Sequence, residues 1–220
     1  MKIRLINIFK RKFSIVLAMM LALCSYSLNA WMDQWAPKIK STPANLTVFS
    51  KNAVERFLQR NYDDYHYSAQ YSQGGEVDLN DDGIKDYVFI VPWMGNGLSA
   101  CGYYTHFIVS DGKGGRIENT LDSYGAELSD IVKIDGKVYF RHSDFFGSFE
   151  KSAHNHWAFQ FFSFGKDGIM RNANHEIGDY LPAVTIFYSN PKFKQIELTS
   201  SDRKTITSQT KPKSHSFNIK

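Results

Sequence analysis

Apolar positions in this chain recur first with a helical period and then, for most of its length, with a strand period. Ala53, Val54, Phe57, Leu58 and Asn61 fall on one face at helical spacing, with Lys51, Glu55, Arg56 and Gln59 on the other. Ser50 is placed to cap this helix, which the pattern ends near Tyr62, in the aromatic and acidic stretch YDDYHY. YVFIV (87 to 91) is apolar on both faces and predicts a central strand covered from two sides. Gly102 to Val109 predicts a second strand, closed by the turn from Ser110 to Gly115. DIVKI-DG-KVYFR (130 to 141) predicts a hairpin, because Asp135-Gly136 suits a type I′ turn between two alternating runs. HWAFQFFSF-GKDG-IMRN (156 to 172) predicts another, and PAVTIFY (182 to 188) and KQIELT (194 to 199) complete the set. Trp31 to Leu46 is aperiodic and reads as a surface leader.

These elements make an α+β chain that is mainly β. The expected architecture is an N-terminal helix packed on an antiparallel meander of about seven to nine strands. No repeat at a propeller or solenoid period is present. A chain of 220 residues suits one domain with a real core. Its 43 % apolar and 15 % aromatic residues exclude general disorder, and the aromatic share favours β structure.

The first thirty residues change the charge picture. Lys2, Arg4, Lys10, Arg11 and Lys12 precede a short apolar run, Ile15 to Cys24, and Leu28-Asn29-Ala30 offers a cleavage site. That is the pattern of a secretory signal peptide over residues 1–30. The run is well short of the ~20 residues a spanning anchor needs. Leu23 stands where a lipobox ending at Cys24 would want a small residue. Taking the five basic residues of this segment from the total of 26 leaves 21, against 22 acidic residues, so the formal charge of +4 belongs largely to the signal. With no basic stripe and no nucleic-acid motif, DNA and RNA drop out as partners. A single β-rich domain is expected over 31–199. Residues 200–220 carry five Lys or Arg against one Asp and are expected to form a mobile tail or a weak edge strand. Beyond the signal only Cys101 remains, so no disulfide can form within the mature chain. It is either a small buried hydrophobe or a reactive or dimerising thiol.

The stretch with the most chemistry is DLNDDGIKD, residues 78 to 86. Asp78, Asn80, Asp82 and Asp86 put oxygen side chains at its positions 1, 3, 5 and 9. Gly83 stands sixth, and Ile84 offers a backbone carbonyl at the seventh. Ca²⁺ takes six to eight oxygens at about 2.3–2.6 Å, and a chain curling round the ion supplies them at alternate positions. Three crowded carboxylates repel one another unless a cation compensates or water reaches them. An EF-hand is excluded, because the twelfth position is Phe89 and a strand follows. The alternative is an Asx-type polar turn without an ion.

The run DLNDDGIKDYVFIVPWMGNG resembles the calcium loop of FG-GAP/VCBS-type repeats, as in integrin α-propellers, where a DLNGDG-like turn runs directly into an apolar strand. The match spans roughly residues 76 to 97, about a tenth of the chain. Asp81 stands where those loops have glycine, and there is one copy where a propeller needs several. The resemblance therefore implies a single calcium-stapled hairpin, with a structural ion. GNGLSACGYY, which follows, resembles small exported bacterial proteins of unknown function.

Other candidates are thinner. His154 and His156 are two apart, which on a strand puts both on one face. They could take two positions on zinc, with His142, His175 or Glu176 completing the set. Gly97 to Cys101 misses the second glycine of a nucleophile elbow. Asp63-Asp64 and Glu127/Asp130 sit in turn or helix-end contexts. Phe145, Phe146, Phe149, Trp157, Phe159 and Phe161 are mostly core in character, but DFFGSF (144 to 149) falls between two hairpins and would present aromatics to a partner. The expectation is an exported, periplasmic or secreted, non-catalytic calcium-binding module. It would act on a protein partner in the cell envelope, as an inhibitor or immunity-like protein does, with no stable membrane insertion after signal cleavage. The alternative is a periplasmic metal-dependent hydrolase built on His154 and His156.

Overall fold

The computed structural model describes residues 41–63, 71–94, 101–124, 126–145, 156–178, 183–186, 193–196 and 199–220. They form two antiparallel sheets laid face to face, with a helix on the outside of one. In chain order the elements are β1 (Thr42–Pro43), β2 (Thr47–Val48), α1 (Lys51–Asn61), β3 (Gln73–Val77), β4 (Asp86–Met94), β5 (Cys101–Ser110) and β6 (Arg116–Tyr124). They continue as β7 (Ile131–Ile134), β8 (Lys137–Phe145), β9 (His156–Phe164), β10 (Met170–Asn172), β11 (Ala183–Ile186), β12 (Phe193–Ile196), α2 (Ser200–Gln209) and β13 (Lys213–Ser216). One sheet runs β13-β6-β5-β4-β3-β2, and the other β1-β7-β8-β9-β11-β12 with β10 also on β9. Two sheets, instead of one meander, correct the expected architecture. The chain crosses from the first sheet to the second after β6, through a 3-10 turn at Leu128–Asp130.

The alternation along β4 explains the layering. Val88 and Ile90 face the space between the sheets, with Phe107, Val109, Phe140, Phe162 and Phe164. Phe89 and Val91 face outward onto Val54 and Leu58 of α1. All four β4 residues are buried, as a strand apolar on both faces requires. Phe57 of α1 stacks on Phe89 at 4.3 Å between ring centroids. Truncating such a ring to alanine costs about 3–5 kcal/mol. A Cβ on Gly74 of β3 would stand 2.7 Å from Phe89 Cδ1 of β4 and 3.1 Å from Val54 Cγ2 of α1, so the helix packs close over this strand pair. Ser50 caps α1, its hydroxyl accepting from the Ala53 N–H at 3.4 Å, and the helix ends at Tyr62 as the sequence predicts. The Asp135-Gly136 hairpin also forms, with φ of 48° and 89° at the two turn residues, the signature of type I′.

Besides the two-residue strands β1 and β2, two longer strands escape the sequence pattern. β3 reads QGGEV and β6 reads RIENTLDSY, and neither shows apolar alternation. β6 nevertheless buries Glu118, Asn119 and Ser123. Each is satisfied by groups remote in sequence. Asn119 donates to the Gly168 carbonyl at 2.8 Å and accepts from the Met170 N–H at 2.9 Å, which pins the β9–β10 turn of one sheet to the middle of the other. Residues 200–220 contain the expected edge strand, β13 on β6, and also a helix that was not expected.

The interior itself has two ends. Near the β3–β4 loop it is apolar. Toward the start of β5 and the end of β8 it turns polar, with Thr105, Ser123, His142 and Gln160 all buried. Ser123 Oγ and His142 Nδ1 meet across the sheets at 3.1 Å, and Asn172 donates to Gln160 Oε1 at 2.8 Å. Thr105 Oγ1, His142 Nε2 and Gln160 Nε2 have no protein partner. Burial holds the His142 imidazole neutral, pushing its pKa down to about 3.

Candidate metal centre

The loop from Asp78 to Asp86 joins β3 to β4 and curls before any ion is considered. Asp78 accepts from the Asp82 N–H at 3.2 Å and from the Gly83 N–H at 2.9 Å, so its carboxylate closes the turn. Asp82 Oδ1 accepts from the Ile84 N–H at 2.8 Å. Gly83 has φ of 85°, the left-handed conformation that glycine adopts without strain. Asp81, the residue that replaces glycine in the resembled loops, has φ of 57°, a region aspartate tolerates better than most residues. The departure from the pattern therefore leaves the turn intact.

Asp86 ties the loop to the sheet. Its Oδ2 accepts from the Leu79 N–H at 2.9 Å and its Oδ1 from the Ser110 N–H at 2.8 Å, with the Arg116 guanidinium 3.7 Å away. The side chain is fully buried, and that desolvation raises its pKa to about 6 despite the two N–H bonds. Asp82 goes the other way. Desolvation works against its charge, but hydrogen bonds from Ile84, Ser110 and Asn80, with Lys166 nearby, hold its pKa below the usual value. Lys166, from the β9–β10 turn, donates to the Asp81 carbonyl.

Asn80 is the unusual member. It is 5 % exposed, and its amide nitrogen donates to the Ser110 carbonyl at 3.0 Å and to Asp82 Oδ2 at 3.2 Å. Those two acceptors fix which way the amide faces, and Oδ1 is left buried without a donor. A buried carbonyl oxygen in that state costs about 1–3 kcal/mol. A cation, or a donor such as water, would supply the partner it lacks. Each ligand carboxylate has about four acceptor sites and uses at most three of them in the bonds described, so the internal hydrogen bonds do not consume the donor set. Asp78, Asn80, Asp82, the Ile84 carbonyl and Asp86 are thus of the right chemistry for Ca²⁺. Among the described residues no three His, Cys, Asp or Glu side chains form a ready-made metal group. An ion would have to gather the carboxylates, and two of the five expected ligands are amide or backbone oxygens.

The alternative histidine set fares differently. His154 lies outside the described residues, and His156 is the first residue of β9. His142 faces the interior between the sheets. Glu176 sits on the opposite, outer face, bonded to Tyr139, Lys137 and Ser163 at 3.0, 2.5 and 3.1 Å. His142 and Glu176 therefore cannot complete one site together. His175 lies on an exposed turn. Gly97 to Ala100 and Phe146 to Phe149 lie outside the described residues, while Phe159 and Phe161 are core. Residues 1–30, over which a signal peptide is expected, likewise lie outside them. Among the described residues no helix is long and apolar enough to cross a membrane.

Sequence reasoning missed the groups that reach the loop from elsewhere: Ser110, Arg116 and Lys166. It also missed a second polar cluster, in which Glu118 takes the Tyr62 hydroxyl and His106 Nδ1 on Oε1, each at 2.6 Å, and His215 Nε2 on Oε2 at 3.0 Å. These residues lie 16 to 129 positions from the loop Asp78–Asp86, and only the fold joins them. The chain matches no protein-family model, no curated protein and no solved structure.

Proposed function

We propose that the protein is an exported, non-catalytic, calcium-binding β-rich module whose role is to bind a partner in the cell envelope. The observation that carries the calcium reading is Asn80 Oδ1, a buried oxygen without a donor at the third position of a loop whose other ligand positions are also oxygens. Calcium would hold the β3–β4 turn against the end of β5, through the same segment that Asp86 already fastens to Leu79 and Ser110. The ion's role is structural. The loop offers no base or nucleophile apart from groups spent on the ion or the backbone. The partner-binding role is supported by the secretory pattern of residues 1–30 and by the aromatic sequence DFFGSF.

Thermal unfolding with Ca²⁺ and with EDTA tests the calcium reading. Extracellular modules bind calcium at about 10⁻⁴–10⁻³ M. At 10 mM Ca²⁺ the expected rise in Tm is therefore on the order of 3–10 °C. Equal melting temperatures, with no calcium found by elemental analysis, would remove the site. The partner is sought by pull-down of the mature protein from envelope extract with and without calcium. Recovery of the same proteins on an unrelated β-rich bait would remove the partner-binding role.

A further inference from the structure

The first sheet ends on a strand supplied by the C-terminus of the chain. β13 lies antiparallel on β6 in the register Lys213↔Thr120, Ser214↔Asn119, His215↔Glu118 and Ser216↔Ile117. All four of its residues are exposed, so the strand contributes almost no apolar burial of its own. Its hold on the sheet comes from specific polar groups and one ring. Ser214 Oγ donates to Asn119 Oδ1 at 2.7 Å, and His215 Nε2 meets Glu118 Oε2 at 3.0 Å. Just past the strand, the Phe217 N–H donates to the Arg116 carbonyl at 2.9 Å, and the Phe217 ring stacks on Tyr62 at 5.9 Å.

The receiving groups belong to the body of the protein and are held there without the tail. Glu118 is 3 % exposed and Asn119 is fully buried. Tyr62 and His106 occupy only Oε1 of Glu118, so Oε2 is presented along the strand edge. Asn119 is fixed from the other side by Gly168 and Met170. The tail also has a natural point of release. Ile206 of α2 and Thr210 are buried, which anchors the chain immediately before Lys211, while everything from Lys211 to Lys220 is half-buried or exposed. Beneath β13, β6 would offer a row of backbone N–H and C=O groups, the feature that recruits extended peptides to sheet edges.

We propose that the β6 edge is a strand-docking site for an extended segment with the pattern hydroxyl, imidazole, any residue, aromatic. Residues 214–217 fill it in cis, and the same segment of a second copy fills it in trans. Recognition has three parts: hydroxyl to Asn119, imidazole to Glu118, ring to Tyr62. Backbone pairing with β6 supplies the rest. The site lies outside the calcium loop and does not depend on it.

The probe is a fluorescent peptide of residues 211–220, KPKSHSFNIK, titrated into the full-length protein. The wild-type chain, with its own strand in place, is compared with a full-length chain carrying His215→Ala and Phe217→Ala. The loosened chain should bind the peptide at least tenfold more tightly than wild type, and a peptide bearing the same two alanines should bind it at least tenfold more weakly. Equal binding to both chains, with near-UV circular dichroism unchanged, would overturn the proposal. So would equal binding of the wild-type and alanine peptides. Hydrogen exchange on the wild-type chain gives a test free of variants. The amides of 214–217 should exchange at least a hundredfold faster than those of β5, and exchange only at the rate of global unfolding would overturn a removable strand.

Discussion

The β3–β4 loop and the polar end of the interior both hold buried polar atoms that no protein group satisfies, but their surroundings differ in kind. In the loop the orphan is an acceptor, Asn80 Oδ1, among carboxylates and carbonyls that are also acceptors. A pure acceptor cannot fill that place, whereas a cation or a donor such as water can. In the interior the orphans are Gln160 Nε2, Thr105 Oγ1 and His142 Nε2. One is a donor, one is both donor and acceptor, and one depends on the tautomer. Their surroundings are neutral, since burial denies His142 its proton. Water, which gives and accepts, suits that end, and a cation does not. The same symptom, an unmet hydrogen bond, is open to an ion in one place and suits only solvent in the other.

The largest effect we expect is from Asp86→Ala. It strips acceptors from two buried N–H groups, Leu79 and Ser110, at about 1–3 kcal/mol each. Chemical denaturation should show a loss of roughly 2–6 kcal/mol together with loss of any calcium response. Next in size is a pH effect confined to the interior. The folded pKa of His142 lies below its unfolded value of about 6.5, so its contribution is complete above that pH. The contribution is lost as pH falls from about 6.5 toward 3, at roughly 1.4 kcal/mol per pH unit. Asp86 and Asp130, both raised to about 6 chiefly by desolvation, act in the opposite sense in this range. The difference in stability between wild type and His142→Phe, measured against pH, isolates the histidine. A flat difference would contradict a neutral buried imidazole.

A paired substitution separates the two regions more sharply. Asn80→Leu and Gln160→Met each remove the amide that carries an orphan atom. Calcium should raise the melting temperature of Gln160→Met as much as that of wild type and should leave Asn80→Leu nearly unmoved. Equal calcium responses in the two variants would erase the distinction. The smallest effect is expected from Lys166→Met. It removes an ammonium that donates to Asp81 from the exposed rim of the loop. Calcium affinity measured by titration should rise by no more than about fivefold, in keeping with the ~0.2–1 kcal/mol of an exposed charge interaction.

How much of this was legible in the sequence follows from where each group finds its partner. α1, β4 and the Asp135-Gly136 hairpin are built from local pattern, and the structure has all three. The loop was legible too, because its oxygens are within nine residues of one another. β6 was not, since Glu118 and Asn119 look like solvent-facing residues until Tyr62, His106, Gly168 and Met170 are brought to them. For the same reason no period along β5, β6, β8 or β9 reveals that Thr105, Ser123, His142 and Gln160 share one interior. α2 is a different case. Thr199 and Asp202 form a capping box three residues apart, and that signal stood in the sequence. The polar character of residues 200–220 outweighed it.

The most direct test of the central claim is a crystal structure of the mature protein grown in saturating Ca²⁺, with anomalous data collected to identify the ion. We expect one calcium in the loop, with Asn80 Oδ1, the Ile84 carbonyl and oxygens of Asp78, Asp82 and Asp86 at about 2.3–2.6 Å. A loop free of ion density, with Asn80 Oδ1 still unmet or turned to a protein donor, would contradict it.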